Sequence, residues 1–341
     1  MGEVNKTIED ATASERKRAH IDMALRSQVA DVENDSRFYY EPMLSGHPTG
    51  KYPALNFLEK ELAYPIWVSS MTGGTALAGK INENLARVCK DFGLGMGLGS
   101  CRQLLYEDRH LDDFQVRKFI GDQPLYANLG IAQVEKLVTE KRWDVINRLL
   151  HKLSADGLII HVNPLQEWMQ PEGDKIMKAP IETIERLLEK ADFSLIVKEV
   201  GQGMGRESLT RLLNLPLAAI DFAAIGGTNF TKLELSRNEA EKSAFEPMIK
   251  VGHTALEMTQ LLNDIVTETP DSINCKQIII SGGIKDFLDG YYLIKLCKLP
   301  AVYGQASQFL KYATEDYETL YNYVLHQTEG LQMANTFLTL K

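Results

Sequence analysis

Eight short apolar runs constrain this chain more than any other feature. They lie at residues 66–70, 93–99, 124–130, 157–163, 194–200, 218–224, 277–283 and 301–306. Runs of this length, bounded by glycine and polar residues, read as strands buried on both faces. The segments between them carry helical periodicity. Leu77, Ile81, Leu85 and Val88 follow one another at four, four and three residues, and Ile181, Ile184, Leu187 and Leu188 repeat the pattern. Leu256, Leu261 and Ile265 do so less strictly. Strand–helix alternation builds parallel β-α-β units, and eight of them predict an α/β fold, a closed (β/α)8 TIM barrel. An open doubly wound sheet would carry a glycine fingerprint after its first strand. Met71-Thr72-Gly73-Gly74 stands there instead. The division expected is 1–60, a basic N-terminal segment and extension packing on the barrel mouth, then 61–341, the barrel. The longest gap, 225–276, is a long insertion after strand 6. Its charged part, 232–250, reads as a loop over the mouth, partly disordered without ligand.

The chain has 341 residues, 44% hydrophobic and 24% charged, with a net charge of −9. That acidity excludes a general nucleic-acid or membrane-surface role, though not a local cationic pocket. Cys89, Cys101, Cys275 and Cys297 form no C-x-x-C pair and no metal-ligand spacing, as in a reducing cytoplasm. The N-terminus lacks the apolar core of a signal peptide. The most apolar stretch, 215–227, is interrupted by Asp221 and is too short to span a bilayer. A soluble cytoplasmic protein is expected.

In a barrel of this kind the chemistry lies at the C-terminal ends of the strands. The densest group is at 157–167, where an apolar run ends in His161, Asn163, Gln166 and Glu167. Side chains two apart on a strand share a face, so His161 and Asn163 should point together. Pro164 ends the ladder, leaving Gln166 and Glu167 on the loop beyond. Lys198 closes a run of apolar residues, and a cation at that depth needs an anionic partner or a shifted pKa. That partner is either a bound anion or a carboxylate such as Glu199. Ser281, Gly282 and Gly283 follow strand 7, while Gln305 and Ala306 end strand 8. Barrels commonly hold a phosphate there, on backbone N–H groups that glycine leaves open. Gly201-Gln-Gly-Met-Gly205 has the wrong spacing for a dinucleotide fingerprint and reads as a barrel loop. Arg16, Lys17 and His20 would share one face of a nascent helix, within reach of one anion; a solvated helix start is the plainer reading.

These residues together resemble the type II, flavin-dependent isopentenyl-diphosphate isomerases. The likeness is carried by Arg16-Lys17…His20, Met71-Thr-Gly-Gly74, Gly99-Ser100 with Arg102, Asn128 and His161-x-Asn-x-x-Gln-Glu167. Lys198-Glu-Val-Gly201, Gly226-Gly-Thr-Asn-Phe230 and Ser281-Gly-Gly283 complete it. The motifs run in order from residue 16 to about 310. Paired glycines are common to many FMN barrels; the basic N-terminal motif and the His-x-Asn-x-x-Gln-Glu motif are far more specific. One departure is Ala224, where the family commonly has glycine; its methyl would narrow the flavin site.

The resemblance implies FMN in the barrel mouth. Thr72, Ser100, Asn128, Lys198 and Thr228 would contact its ring and ribityl chain, with Met71 and Gly73 beside them. The loops carrying Ser281, Gly282, Gly283, Gln305 and Ala306 would take its phosphate. Arg16, Lys17, His20, Ser100, Arg102, His161 and Asn163 would hold a diphosphate substrate, with Gln166 beside its allylic portion. His161, Asn163 and Gln166 form the catalytic set, and Glu167 would bind Mg2+. NADPH would reduce the flavin without being consumed in each turnover, and the assembly would be a homotetramer or homo-octamer. Three rivals remain. An inosinate-type dehydrogenase or reductase would use Cys101 as nucleophile. A 2-hydroxy-acid oxidase needs a histidine–arginine set, and 223–228 offers no histidine. A non-catalytic flavin-binding barrel has no need of the costly polar groups at 161–167.

Overall fold

The computed structural model describes residues 13–70, 73–237 and 244–341. Eight parallel strands close into a barrel in sequence order. They are β1 (Ile66–Val68), β2 (Gly95–Gly97), β3 (Leu125–Gly130), β4 (Gly157–His161), β5 (Ser194–Lys198), β6 (Ala219–Asp221), β7 (Ile278–Ser281) and β8 (Ala301–Gln305). Tyr303 to Gln305 of β8 pair with Ile66 to Val68 of β1, which seals the ring. Each expected run holds one strand, so the predicted barrel is present.

The helices pack outside. Ala76–Phe92 starts on Thr75, whose side chain accepts from the Ala78 N–H, and stops at Gly93 in the left-handed region, φ 65°. Ile81, Leu85 and Val88 face the core as predicted, but Leu77 is exposed. Likewise Ile265 of Ala255–Glu268 is buried while Leu256 lies at the surface.

Inside the ring, Trp67, Tyr126, Ile159, Ile196, Ala219, Ile279 and Val302 form one buried cluster. Gly95 makes room for the indole, since a Cβ there would lie 2.5 Å from the Trp67 ring. A hairpin of Leu55–Phe57 and Lys60–Leu62 adds Phe57, Leu58 and Leu62 to this cluster at the lower end of the barrel. The boundary expected at residue 60 falls inside this hairpin. Its turn residues Leu58 and Glu59 have φ 54° and 62°, unfavourable for side chains with a Cβ. The Leu58 N–H bond to Gln277 Oε1 (2.9 Å) and the Lys60–Asp156 ion pair (2.6 Å) hold the turn against the strand starts. With the bottom plugged, the opposite end is the open one. Phe38–Tyr40 pairs antiparallel with Leu338–Leu340, tying the N-terminal extension to the end of the chain.

The described parts of 232–250 correct the expectation of a loop. Phe230–Arg237 is α-helical and Glu246–Lys250 forms a 3-10 turn. The Gln202 side chain anchors them, accepting from Thr231 Oγ1 (2.7 Å) and donating to the carbonyls of Met248 (3.0 Å) and Val251 (2.6 Å). Among the described residues, no helix is long and apolar enough to cross a membrane.

Candidate active site

The polar groups at the end of β4 divide between two local structures. The strand ends at His161, and Asn163 caps a short helix, Pro164–Met169, so the two residues do not continue one strand face. Pro164 occupies the first helical turn, where its missing N–H costs nothing. Gln166 and Glu167 therefore sit on a helix rather than a loop, one turn above Asn163.

His161 Nδ1 lies 2.7 Å from Asn128 Oδ1, while the Asn128 amide nitrogen donates to Leu98 O (3.1 Å). With that NH2 committed, the imidazole carries its proton on Nδ1 and a lone pair on Nε2. Burial, reinforced by the nearby Lys198 charge, lowers the His161 pKa to about 4. The ring is neutral at pH 7, and an anion arriving at Nε2 would draw a proton onto it. The depressed value has a stability consequence. Between about pH 6.5 and pH 4 the unfolded chain binds this proton and the folded one does not, so stability present above 6.5 is lost as pH falls. The full shift corresponds to about 3 kcal/mol. Thermal melts of wild type and His161→Gln across pH 4–7 should show a flatter pH slope in the variant.

Asn163 donates to both Gln166 Oε1 (3.1 Å) and Glu167 Oε1 (3.0 Å), yet its own Oδ1 is buried with no partner. Gln166 Nε2 donates to Glu234 Oε1 (3.2 Å), and Arg237 pairs with Glu234 Oε2 (2.6 Å). Glu234 is 3% exposed and comes from the charged segment read as a loop. Glu167 accepts the Asp174 N–H on Oε2 (2.7 Å). Among the described residues, no group of three or more His, Cys, Asp or Glu is placed to hold a metal. A cation on Glu167 would draw its other ligands from substrate and water.

The second centre is a glycine-bounded cavity of about 140 Å3 at the mouth. Lys198, Thr228, Ser281, Gly282, Gly283, Gln305 and Ala306 all line it, so seven sequence-predicted cofactor residues meet in one space. Gly282 (φ 94°) packs on the Ala224 backbone, and Gly226 (φ 109°) would place a Cβ 2.9 Å from Gly283 Cα. Lys198 Nζ donates to the backbone carbonyl of Glu199 (2.9 Å). The Glu199 carboxylate instead collects the N–H groups of Gly201, Gln202 and Gly203, so the side-chain ion pair weighed above does not form. Burial still pushes the Glu199 pKa up, against those three bonds.

Asp221, which registers beside Lys198, was missed by the sequence reading. It has no exposed surface; Oδ1 accepts from Ser281 Oγ, and Oδ2 has no partner. Burial raises its pKa, with Lys198 and Ser281 opposing. The hydroxyls of Ser69 and Ser70 in the same cavity are also buried and unpartnered.

Other predicted residues lie differently. Met71 and Thr72 fall outside the described residues. Gly73 packs under Phe114, whose ring a Cβ would meet at 2.1 Å. Asn128 serves His161, and neither it nor Ser100 is among the described residues lining the cavity. Ser100 and Arg102 are exposed beside the mouth, Arg102 in an ion pair with Asp174 (2.8 Å). Arg16, Lys17 and His20 do share a helix, Ala13–Ala24, and all three are exposed. Cys101 is fully buried, with its thiol pushed up to about 12, a poor nucleophile.

No protein-family model matches the chain. An isopentenyl-diphosphate delta-isomerase of Rickettsia rickettsii is 34% identical over 329 residues, covering 94% of this chain and 92% of that protein. The chain belongs to the type II isopentenyl-diphosphate delta-isomerase family. The Rickettsia felis enzyme of the same name is 34% identical over 305 residues, 88% of this chain and 85% of its own length. The chain is thus an isomerase. Solved structures share this isomerase's barrel at low identity. Flavocytochrome b2 with sulfite bound has a TM-score of 0.60 at 12% identity, covering 88% of this chain and 72% of its own. A mandelate oxidase variant with benzaldehyde has a TM-score of 0.59 at 13% identity, covering 89% and 86%.

Proposed function

We propose that the isomerase interconverts isopentenyl diphosphate and dimethylallyl diphosphate with reduced FMN held in the mouth cavity. The observation that carries this reading is the meeting of two unlike surfaces. A cavity with a glycine floor and unpartnered buried hydroxyls is lined by Lys198, and Lys198 stands in register beside His161, which opens the polar set His161, Asn163, Gln166 and Glu167. Glycine backbone after β7 and the polar end of β8 fit a phosphate, while Lys198 and the serine hydroxyls fit a polar ring edge. When bound, the reduced flavin supplies the acid–base function for adding a proton to an unactivated alkene and removing another, with no net redox change.

The chain's own groups do the rest. Lys198 offers positive charge at the cavity wall to a ring that becomes anionic. Arg102, His161 and Ser100 surround the diphosphate, and His161 gains a proton as that anion binds. Glu167 would hold a Mg2+ ion, which would offset the charge of the diphosphate. Asn163 and Glu234 hold the Gln166 amide from both sides, which fixes it beside the allylic carbons. Thr72, with Met71 and Gly73, would complete the ring contacts, Asn128 those to the ribityl chain. The basic segment with Arg16, Lys17 and His20, within an extension over 1–60, closes over the mouth and excludes water. NADPH would serve as the reductant of the flavin, outside the turnover cycle.

A homotetramer or homo-octamer is supported by Ile21, Met23, Leu25, Val29 and Val32, all more than half exposed in the extension. Cysteines without disulfides favour the cytoplasm. The oxidase alternative lacks its histidine, since 223–228 carries only Ala, Ile, Gly and Thr. Apo-protein titrated with FMN should bind one equivalent and, after dithionite reduction, make dimethylallyl diphosphate only when FMN and Mg2+ are both present. Product without flavin would contradict the proposal.

A further inference from the structure

Asp174 joins residues that three different strand ends supply. Its Oδ2 pairs with Arg102 Nη1 (2.8 Å), from the segment after β2. The same oxygen accepts from Gln133 Nε2 (2.9 Å), on the helix after β3. Its backbone N–H donates to Glu167 Oε2 (2.7 Å), on the helix after β4. Gln133 is itself anchored, because its Oε1 accepts the Gly130 N–H at the end of β3 (3.1 Å). The loop bearing Asp174 is built for this approach. A Cβ on Gly173 would lie 1.9 Å from the Glu167 carbonyl oxygen, so glycine is required for the chain to fold back there. The Met177 N–H is held by both oxygens of Glu135, tying the loop's far end to the helix after β3.

We propose that Asp174 is a positioning residue of this isomerase: it sets the separation between Arg102 and Glu167, so that a metal diphosphate is gripped from two fixed sides. The inference rests on the proposed function and adds to it the element that couples the cation to the metal-binding carboxylate. Arg102 and Asp174 are both more than one-third exposed, so the ion pair as such contributes little. What matters is its geometry. A guanidinium carries five N–H donors, and Asp174 engages one nitrogen, so the arginine can hold a diphosphate oxygen without leaving Asp174. Gln133 prevents the carboxylate from following the arginine into solvent. Without Asp174, Arg102 would be a mobile surface cation and the loop would no longer be tied to the helix after β3 through Gln133.

The test is a double-mutant cycle on holoenzyme with Asp174→Ala, Arg102→Ala and both, with Asp174→Asn as the conservative variant. Binding of magnesium pyrophosphate is read by calorimetry, alongside KM, kcat and the Mg2+ concentration for half-maximal turnover. Asp174→Ala should weaken magnesium pyrophosphate binding and raise KM and the Mg2+ requirement about tenfold. At saturation kcat should stay within about threefold. FMN affinity should not change, and Asn should fall between wild type and Ala. In the Arg102→Ala background the Asp174 effect on pyrophosphate binding should largely vanish. Additive effects, an unmoved KM, or a loss of FMN affinity in step with a lower melting temperature would overturn the proposal. Wild-type turnover separates the two claims: its absence contradicts the proposed function, while the pyrophosphate cycle still reads the coupling.

Discussion

Gly282→Ala should abolish tight FMN binding, whereas Gly227→Ala, in the facing loop, should leave the fold intact. A Cβ at Gly282 would lie 2.1 Å from the Ala224 carbonyl oxygen and 2.4 Å from its nitrogen. Both are backbone atoms and cannot turn aside. The residue also has φ 94°, a region that costs a residue with a Cβ about 1–3 kcal/mol. Relief requires the loop after β7 to separate from the loop after β6, and those loops form the floor of the cavity. An affinity loss on the order of 100-fold is expected, equivalent to about 2.7 kcal/mol, with a lower melting temperature. At Gly227 the added methyl meets only Gly282 Cα at 3.5 Å and Gly283 N at 3.6 Å, ordinary van der Waals contact. Flavin fluorescence titration and thermal melts on both variants check this. Equal melting temperatures for the two would contradict the packing argument.

Glu167→Gln should lower turnover at cellular Mg2+ by about 100-fold or more while leaving FMN affinity unchanged. Both Glu167 oxygens already accept hydrogen bonds, from Asn163 Nδ2 and the Asp174 N–H. An amide in that place turns an NH2 toward one of those donors, so a bond is lost along with the negative charge. Loss of even an outer partner of a metal site costs about 10–100-fold, and here the carboxylate itself is removed. Activity titrated with Mg2+ should show a half-maximal concentration displaced far upward. An unchanged Mg2+ dependence would remove Glu167 from the metal site.

The barrel was legible because buried parallel strands leave a plain mark, short apolar runs at intervals that helices fill. The hairpin plugging its lower end was not. Leu55–Phe57 and Lys60–Leu62 are three residues each, and the turn between them uses Leu58 and Glu59 without glycine. Tertiary bonds to Gln277 and Asp156 stabilise that turn, and no local signal shows them.

The site divides in the same way. Lys198, Ser281 and His161 were legible because a polar residue closing an apolar run must be accounted for. Asp221 carries the same signal, yet within 215–227 it reads only as the break in an apolar stretch. Its burial beside Lys198 depends on barrel closure. Glu234 and Asp174 lie in charged or turn-rich segments where an acidic residue is ordinarily solvated. Contacts across 68 residues to Gln166 and 41 to Gln133 give them their places. Periodicity cannot reveal bonds of that range. The Lys198 ammonium also shows the limit of neighbour reasoning: it bonds the Glu199 carbonyl oxygen, because the adjacent carboxylate is occupied by three backbone N–H groups.

The most direct test of a flavin-dependent, redox-neutral isomerase is a turnover count under limiting reductant. Purified protein with FMN, Mg2+ and isopentenyl diphosphate is held anaerobically and given one equivalent of NADPH per flavin. Dimethylallyl diphosphate accumulating to many equivalents per NADPH is the predicted result. Product limited to the NADPH supplied, or formed equally well without flavin, would contradict the account.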